Sequence, residues 1–242
     1  MLNNNIISED FDNWQSFNNG EYLLLNNKLD KTPQEVLQDI HNNLIFKYGS
    51  LNEEYPEQLL SINFIKPHYN VLELGGNIGR NSCVISKILK NSRNFVVVES
   101  DIDNAIKLNE NKMLNNFQFQ IECAAISQIQ LIQNGWITKP KTTDEEGWKD
   151  INVITWTDLQ NKYNIIFDTL VVDCEGALYY ILKEEPNFLD TFKLIIIEND
   201  FMDITHKYFV DNKFKKCNFN LIYKEKSIHG ICEYFYEVWR KF

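Results

Sequence analysis

The chain has 242 residues, 44% of them hydrophobic, with a formal net charge of -10 and an isoelectric point near 4.9. That length and apolar content fit one α/β unit with a sizeable core, and the acidic balance opposes nucleic-acid partners, whose binding relies on Lys and Arg neutralising phosphates. Met1 to Asp10 contains neither a basic nor a long apolar stretch, no later run reaches membrane-spanning length, and the five cysteines never form C-x-x-C, so a soluble cytoplasmic protein with no membrane partner, disulfide framework or zinc site is expected.

Residues 1–66 read as an Asn-rich helical extension, with a helix over 32–47 opened by Thr32, Pro33 and Glu35, and a second over 56–64. Residues 67–242 read as one domain in which strands and helices alternate. The pattern predicts strand 71–74, helix 81–90, strand 95–99, helix 103–114 and strand 117–124. An irregular polar insertion over 128–150 follows, either a lid or an ordinary excursion at the sheet edge. Then come strand 168–173, helix 177–184, strand 193–198, helix 203–212 and two strands near 219–224 and 232–239. This alternation indicates a doubly wound, mostly parallel sheet, and the last two strands, joined by a turn at Ser227-Ile228-His229-Gly230, indicate an antiparallel hairpin on its edge.

The segment Val71-Leu74, Gly75-Gly76-Asn77-Ile78-Gly79, Arg80-Asn81 joins a buried strand to a helix through a glycine turn, the arrangement of a nucleotide-cofactor cradle. A dinucleotide fingerprint would need glycine where Asn77 and Arg80 stand, so NAD is disfavoured. The order Glu73-x-Gly75-x-x-x-Gly79 suits a ligand with an ammonium group and no phosphate, such as S-adenosylmethionine. Glu99 ends the next strand twenty positions beyond Gly79, where it can accept from both ribose hydroxyls. The expected cofactor contacts are Glu73, Gly75, Gly76, Asn77, Gly79, Asn81, Glu99, Ser100, Ala124 and Asp173, with adenine beside Cys123-Ala124-Ala125.

Two further strands end in acids, at Asp173 and at Glu198-Asn199-Asp200. If these strands are neighbours, about 4.8 Å apart, Asp173 and Glu198 converge and need a proton or a cation between them. With oxygen donors and no Cys or His close by, Asp173, Glu198 and Asn199 would suit Mg2+ or Mn2+, which would grip a polyol and activate its hydroxyl. The plainer alternative is that these acids end strands because strands end at solvent. Glu175 and His229 are candidate bases, although a glutamate opening a helix also serves as a dipole partner and a turn histidine needs no catalytic role.

Taken together, Glu73-Leu74-Gly75-Gly76-Asn77-Ile78-Gly79, Glu99, Val171-Val172-Asp173-Cys174-Glu175-Gly176-Ala177-Leu178 and Ile197-Glu198-Asn199 resemble the FkbM family of S-adenosylmethionine-dependent O-methyltransferases. The stretch Asn152 to Leu159 is similar to the family's threonine-and-aspartate segment. Gly76 stands for the family's alanine, a change expected only to remove a methyl group, while Val171 and Leu178 stand for its lysine and glutamate. The resemblance implies a class I methyltransferase, Rossmann-like, with a seven-stranded doubly wound sheet, a terminal antiparallel hairpin and here an N-terminal helical extension. It also implies methylation of a small-molecule hydroxyl, often on a sugar or glycan, and leaves open whether the chain works alone or beside a glycosyltransferase. The competing reading from the residues is a non-catalytic cofactor- or glycan-binding module of a glycan-building assembly.

Overall fold

The computed structural model describes residues 31–226 and 230–242. In chain order the first half forms α1 (Pro33–Asn42), α2 (Tyr55–Phe64), β1 (Val71–Leu74), α3 (Arg80–Ile88), β2 (Phe95–Val98), α4 (Ile102–Leu114), β3 (Gln120–Glu122) and β4 (Ala125–Ile126). There follow β5 (Leu131–Asn134), β6 (Ile137–Pro140), β7 (Lys149–Ile151), β8 (Val153–Ile154), α5 (Trp156–Tyr163), β9 (Thr169–Val172) and α6 (Leu178–Glu184). The chain closes with β10 (Leu194–Glu198), α7 (Ile204–Lys216), β11 (Asn220–Lys226) and β12 (Tyr234–Arg240).

Seven strands make the main sheet in the order β11-β12-β10-β9-β1-β2-β3. β9, β1, β2 and β3 run parallel with β10, whereas β12 is antiparallel to both β10 and β11. The terminal hairpin is therefore antiparallel as expected, with β12 inserted beside β10 and β11 left as the edge. The central parallel strands are apolar almost throughout because helices cover both faces. Val71, Val97, Val171, Leu194 and Ile196 pack under α1 to α4 through Leu37, Leu60, Val84, Ile85 and Leu108. Leu72, Val96, Leu170, Ile195 and Ile197 pack on the other face against Trp156, Leu178, Ile181, Val210 and Phe214 of α5 to α7. Helices α1 and α2 of the expected extension thus share the core of the sheet.

Three expectations change. The first helix stops at Asn42, five residues early, although the Thr32–Glu35 capping box is present. Beyond it the backbone of Ile45 and Lys47 is taken by the side chains of Asn115 and Asn111, so tertiary bonds replace helical ones. The strand expected over 117–124 shortens to β3, with Phe119 just before it packed in the core against Phe95, ring centroids 5.3 Å apart. The segment after β8 is the helix α5, capped by Thr155, whose side chain accepts from the Asp158 backbone N–H. No helix among the described residues is long and apolar enough to cross a membrane.

Candidate active site

The parallel register aligns the strand tips. Leu74 pairs with Val98 and with Val172, and Val172 with Ile197, so Gly75, Glu99, Asp173 and Glu198 stand in one row at the carboxyl edge of the sheet. The turn is locked onto this row: Gly75 and Gly76 N–H groups donate to the Val98 carbonyl at 2.9 and 3.2 Å, and Gly79 N–H donates to the Gly76 carbonyl at 2.8 Å. Gly75 has φ +88°, and a Cβ there would lie 1.5 Å from the Asp173 carbonyl oxygen. Gly76 is also required, contrary to expectation, since a methyl at that position would sit 2.2 Å from Cγ1 of buried Val97.

Beneath the turn, Glu73 is buried and accepts from Ser82 Oγ and, at 3.2 Å, from Asn81 Nδ2. Asn81 also donates to Glu57 at 3.0 Å and accepts from Ser61 Oγ at 2.9 Å. Glu73 and Asn81, two of the expected cofactor contacts, thus belong to a buried network that holds the start of α3 under the turn. Burial pushes the Glu73 carboxyl up to about 8. Arg80, where a dinucleotide turn would need glycine, donates to Glu53, to Glu54 at 2.8 Å and to the Ser50 carbonyl at 3.0 Å.

A cavity of about 210 Å3 opens above the row, and Gly75, Asn77, Glu99, Ser100, Ala124, Asp173 and Glu175 all line it. Glu99 accepts from the Asn77 and Asp101 backbone N–H groups, each at 2.7 Å, and burial pushes its carboxyl up to about 7. Ser100 Oγ donates to Gln133 Oε1 at 3.1 Å, tying β2 to the insertion. The insertion is a three-stranded antiparallel sheet, β6-β5-β7, and Leu131, Gln133, Trp136 and Lys139 from it form one wall of the cavity.

On the α2 side of Asp173 lies a second constellation. Carboxylate oxygens of Glu57, Asp173 and Glu198 come within 4.8 Å of one another. Glu57, only 3% exposed, was not among the expected ligands. Burial holds Glu57 and Asp173 well above the usual carboxylate range, and neighbouring carboxylates add to the effect. Glu198 is pushed up to about 7 by burial and by Asp200, while Tyr236, its cross-strand neighbour, hydrogen-bonds its side chain. Asn199 directs its amide to the Tyr234 carbonyl at 3.1 Å. Glu175 lines the cavity with φ +51°, a left-handed conformation uncommon outside glycine, and accepts no hydrogen bond among the described residues. His229 lies outside the described residues.

No protein-family model matches the chain, and no curated protein matches its sequence. Among solved structures the chain is similar to the ribosomal protein L11 methylase from Lactobacillus delbrueckii subsp. bulgaricus, with a TM-score of 0.51 at 13% identity over 81% of this chain and 82% of that one. An O-methyltransferase from Bacillus cereus in complex with SAH aligns over 95% of this chain and 98% of that one, with a TM-score of 0.46 at 14% identity. Together with the strand order, the first likeness makes the architecture that of a Rossmann-like methyltransferase.

Proposed function

We propose that this chain transfers the methyl group of S-adenosylmethionine to a hydroxyl oxygen of a small molecule, a saccharide, assisted by a divalent cation. The observation that carries the reading is the convergence of Gly75, Asn77, Glu99, Ser100, Ala124 and Asp173 on one cavity at the carboxyl edge of the sheet, where open α/β sheets bind their ligands. Each Glu99 oxygen already accepts one N–H and keeps a lone pair for a ribose hydroxyl. The engagement of Arg80 with Glu53, Glu54 and Ser50 leaves it no role on a pyrophosphate, and the surrounding carboxylates favour a cationic cofactor. The FkbM-like motifs between Glu73 and Asn199 support oxygen as the acceptor atom and a saccharide as its carrier.

Three carboxylates within reach of one point, desolvated by burial and further crowded by neighbouring carboxylates, fit a hard divalent ion such as Mg2+ or Mn2+. Glu57, Asp173 and Glu198 would hold it, and when bound it would supply Lewis-acid activation of the acceptor hydroxyl. Asp173 lines the cavity and also belongs to the cluster, so it joins cofactor and acceptor. Tyr236 orients Glu198, and Glu175, with its carboxylate free of internal bonds, accepts the hydroxyl proton. Displacement at the sulfonium methyl needs the acceptor oxygen in line with the sulfur, so positioning supplies much of the rate.

Calorimetric titration with S-adenosylhomocysteine, with NAD in parallel, tests the reading. Micromolar binding of the first and none of the second is expected, followed by methyl transfer to saccharides in the presence of Mg2+ or Mn2+. Silence from both ligands would overturn it. Cofactor binding without transfer to any saccharide would leave a non-catalytic binding module.

A further inference from the structure

The wall built by the insertion has a feature that cofactor binding does not use. β5 and β6 are joined by the two-residue turn Gly135-Trp136, with Asn134 paired to Ile137 and Gly135 at φ +57°. Tight hairpin turns favour small polar residues and glycine. This one presents a tryptophan that is 58% exposed and lines the cavity. A second strongly exposed aromatic residue, Tyr180 on α6, is 45% exposed and lines the same cavity from a different element.

The hairpin is braced from below. Gln133 is bonded to Ser100, and Lys139 pairs with Glu145 at 2.7 Å while resting 4.1 Å from the Trp148 ring centroid. A rigid hairpin therefore holds an indole at its tip with much of its surface in water. The cavity near the expected adenine is already furnished by Ser100, Ala124 and Gln133, whereas Tyr180 and Glu175 line it from the segment after β9, which lies two strands away from β2 in the sheet.

From this arrangement we infer that Trp136 and Tyr180 form the acceptor subsite and are its specificity-determining residues, taking the C–H face of a pyranose ring while Glu175 meets a hydroxyl on its rim. The inference rests on the methyltransferase reading and adds to it where the sugar sits. A pyranose has one face of C–H bonds that buries well against the negative face of an aromatic ring, and its edge carries the hydroxyls that a carboxylate can accept from. A nucleotide would also stack on these rings. Its phosphates would then meet Asp173 and Glu175 on a chain with net charge -10, which disfavours it.

Saturation-transfer NMR on the full chain loaded with S-adenosylhomocysteine tests this, using a mixture of methyl pyranosides and, separately, a short single-stranded RNA. Saturation is expected on the C–H protons of one pyranoside face. Binding should weaken by about tenfold in Trp136→Ala and in Tyr180→Ala, and be largely kept in Trp136→Phe, where a ring remains. S-adenosylhomocysteine affinity, measured by calorimetry, should stay within about twofold of the parent in all three. Failure of the parent chain to bind S-adenosylhomocysteine sinks the methyltransferase reading itself. Cofactor binding with pyranoside signals that ignore both alanine variants, or with none at all, overturns only the subsite. Loss of cofactor affinity in Trp136→Ala would place the indole on adenine, and Trp136-dependent RNA binding would replace the sugar with a nucleic acid; either result overturns the inference.

Discussion

Glu99 is the residue on which cofactor affinity should turn with pH. Burial raises its carboxyl to about 7, and only the ionised form offers acceptors alone to the ribose hydroxyls. Affinity for S-adenosylhomocysteine should therefore rise about tenfold from pH 6 to pH 8 as the ionised fraction grows, and Glu99→Gln should flatten the profile at the weak end. A profile unchanged by that substitution would remove Glu99 from the ribose. Glu73 makes the opposite demand on stability. Its carboxyl is raised from 4.5 to about 8, so the folded state holds a proton that the unfolded chain releases. The cost is absent below pH 4.5 and grows until pH passes about 8. Glu73→Gln should keep an acceptor for Ser82 and lessen the fall of Tm over that window, which thermal melts across the range would check. Gly75 admits no such adjustment, because backbone stands 1.5 Å from where a methyl would go. Gly75→Ala should cost about 3 kcal/mol or more, from strain and collision together, and urea melts would measure it.

At the scale of elements, α2 brings the carboxylate that completes the acidic cluster. Every residue from Glu57 to Phe64 is buried, polar ones included, so the helix has no solvent face on which Glu57 could have been spared. With no metal added, Glu57→Gln should raise Tm by removing one of three crowded carboxylates while keeping an acceptor for Asn81. It should also abolish any rise in Tm caused by Mn2+, and a fall in the metal-free Tm would contradict the crowding argument. Glu57 also marks the limit of what could be read from the chain alone. Glycine turn, strand-end acids and alternating elements are local signals, and the row Gly75, Glu99, Asp173, Glu198 follows from them once β9 lies between β1 and β10. The convergence of Glu57 depends on how a helix outside that alternation lies across the sheet, which periodicity does not encode. Other misses were legible in principle. Thr155 with Asp158 three positions later is a helix-start signal, and Gly135 between two apolar pairs is a hairpin signal. The early end of α1 was not, since it depends on Asn111 and Asn115 some seventy residues away.

For the molecule as a whole, the sheet separates two tasks and Asp173 joins them. One side of the carboxyl edge carries the turn and Glu99, the other carries Glu57 and Glu198, and Asp173 belongs both to the cavity wall and to the acidic cluster. A substitution there should split binding from turnover. The neighbours that act most strongly on Asp173 are all carboxylates, so replacing it with alanine removes a repelling charge and leaves no buried cation without a partner. The fold should survive, and S-adenosylhomocysteine should still bind through Glu99 and the turn, since the Gly75 and Gly76 bonds run to the Val98 backbone. Methyl transfer should fall below detection, because the acceptor would lose the group that couples it to the cofactor end. Calorimetry and a radiolabelled methyl-transfer assay on Asp173→Ala, compared with exhaustive chelation of the parent chain, would read both halves. Transfer that persists in the variant would take Asp173 out of the chemistry. Transfer that survives chelation in the parent while vanishing in the variant would keep Asp173 as a direct contact to the acceptor and dismiss the metal.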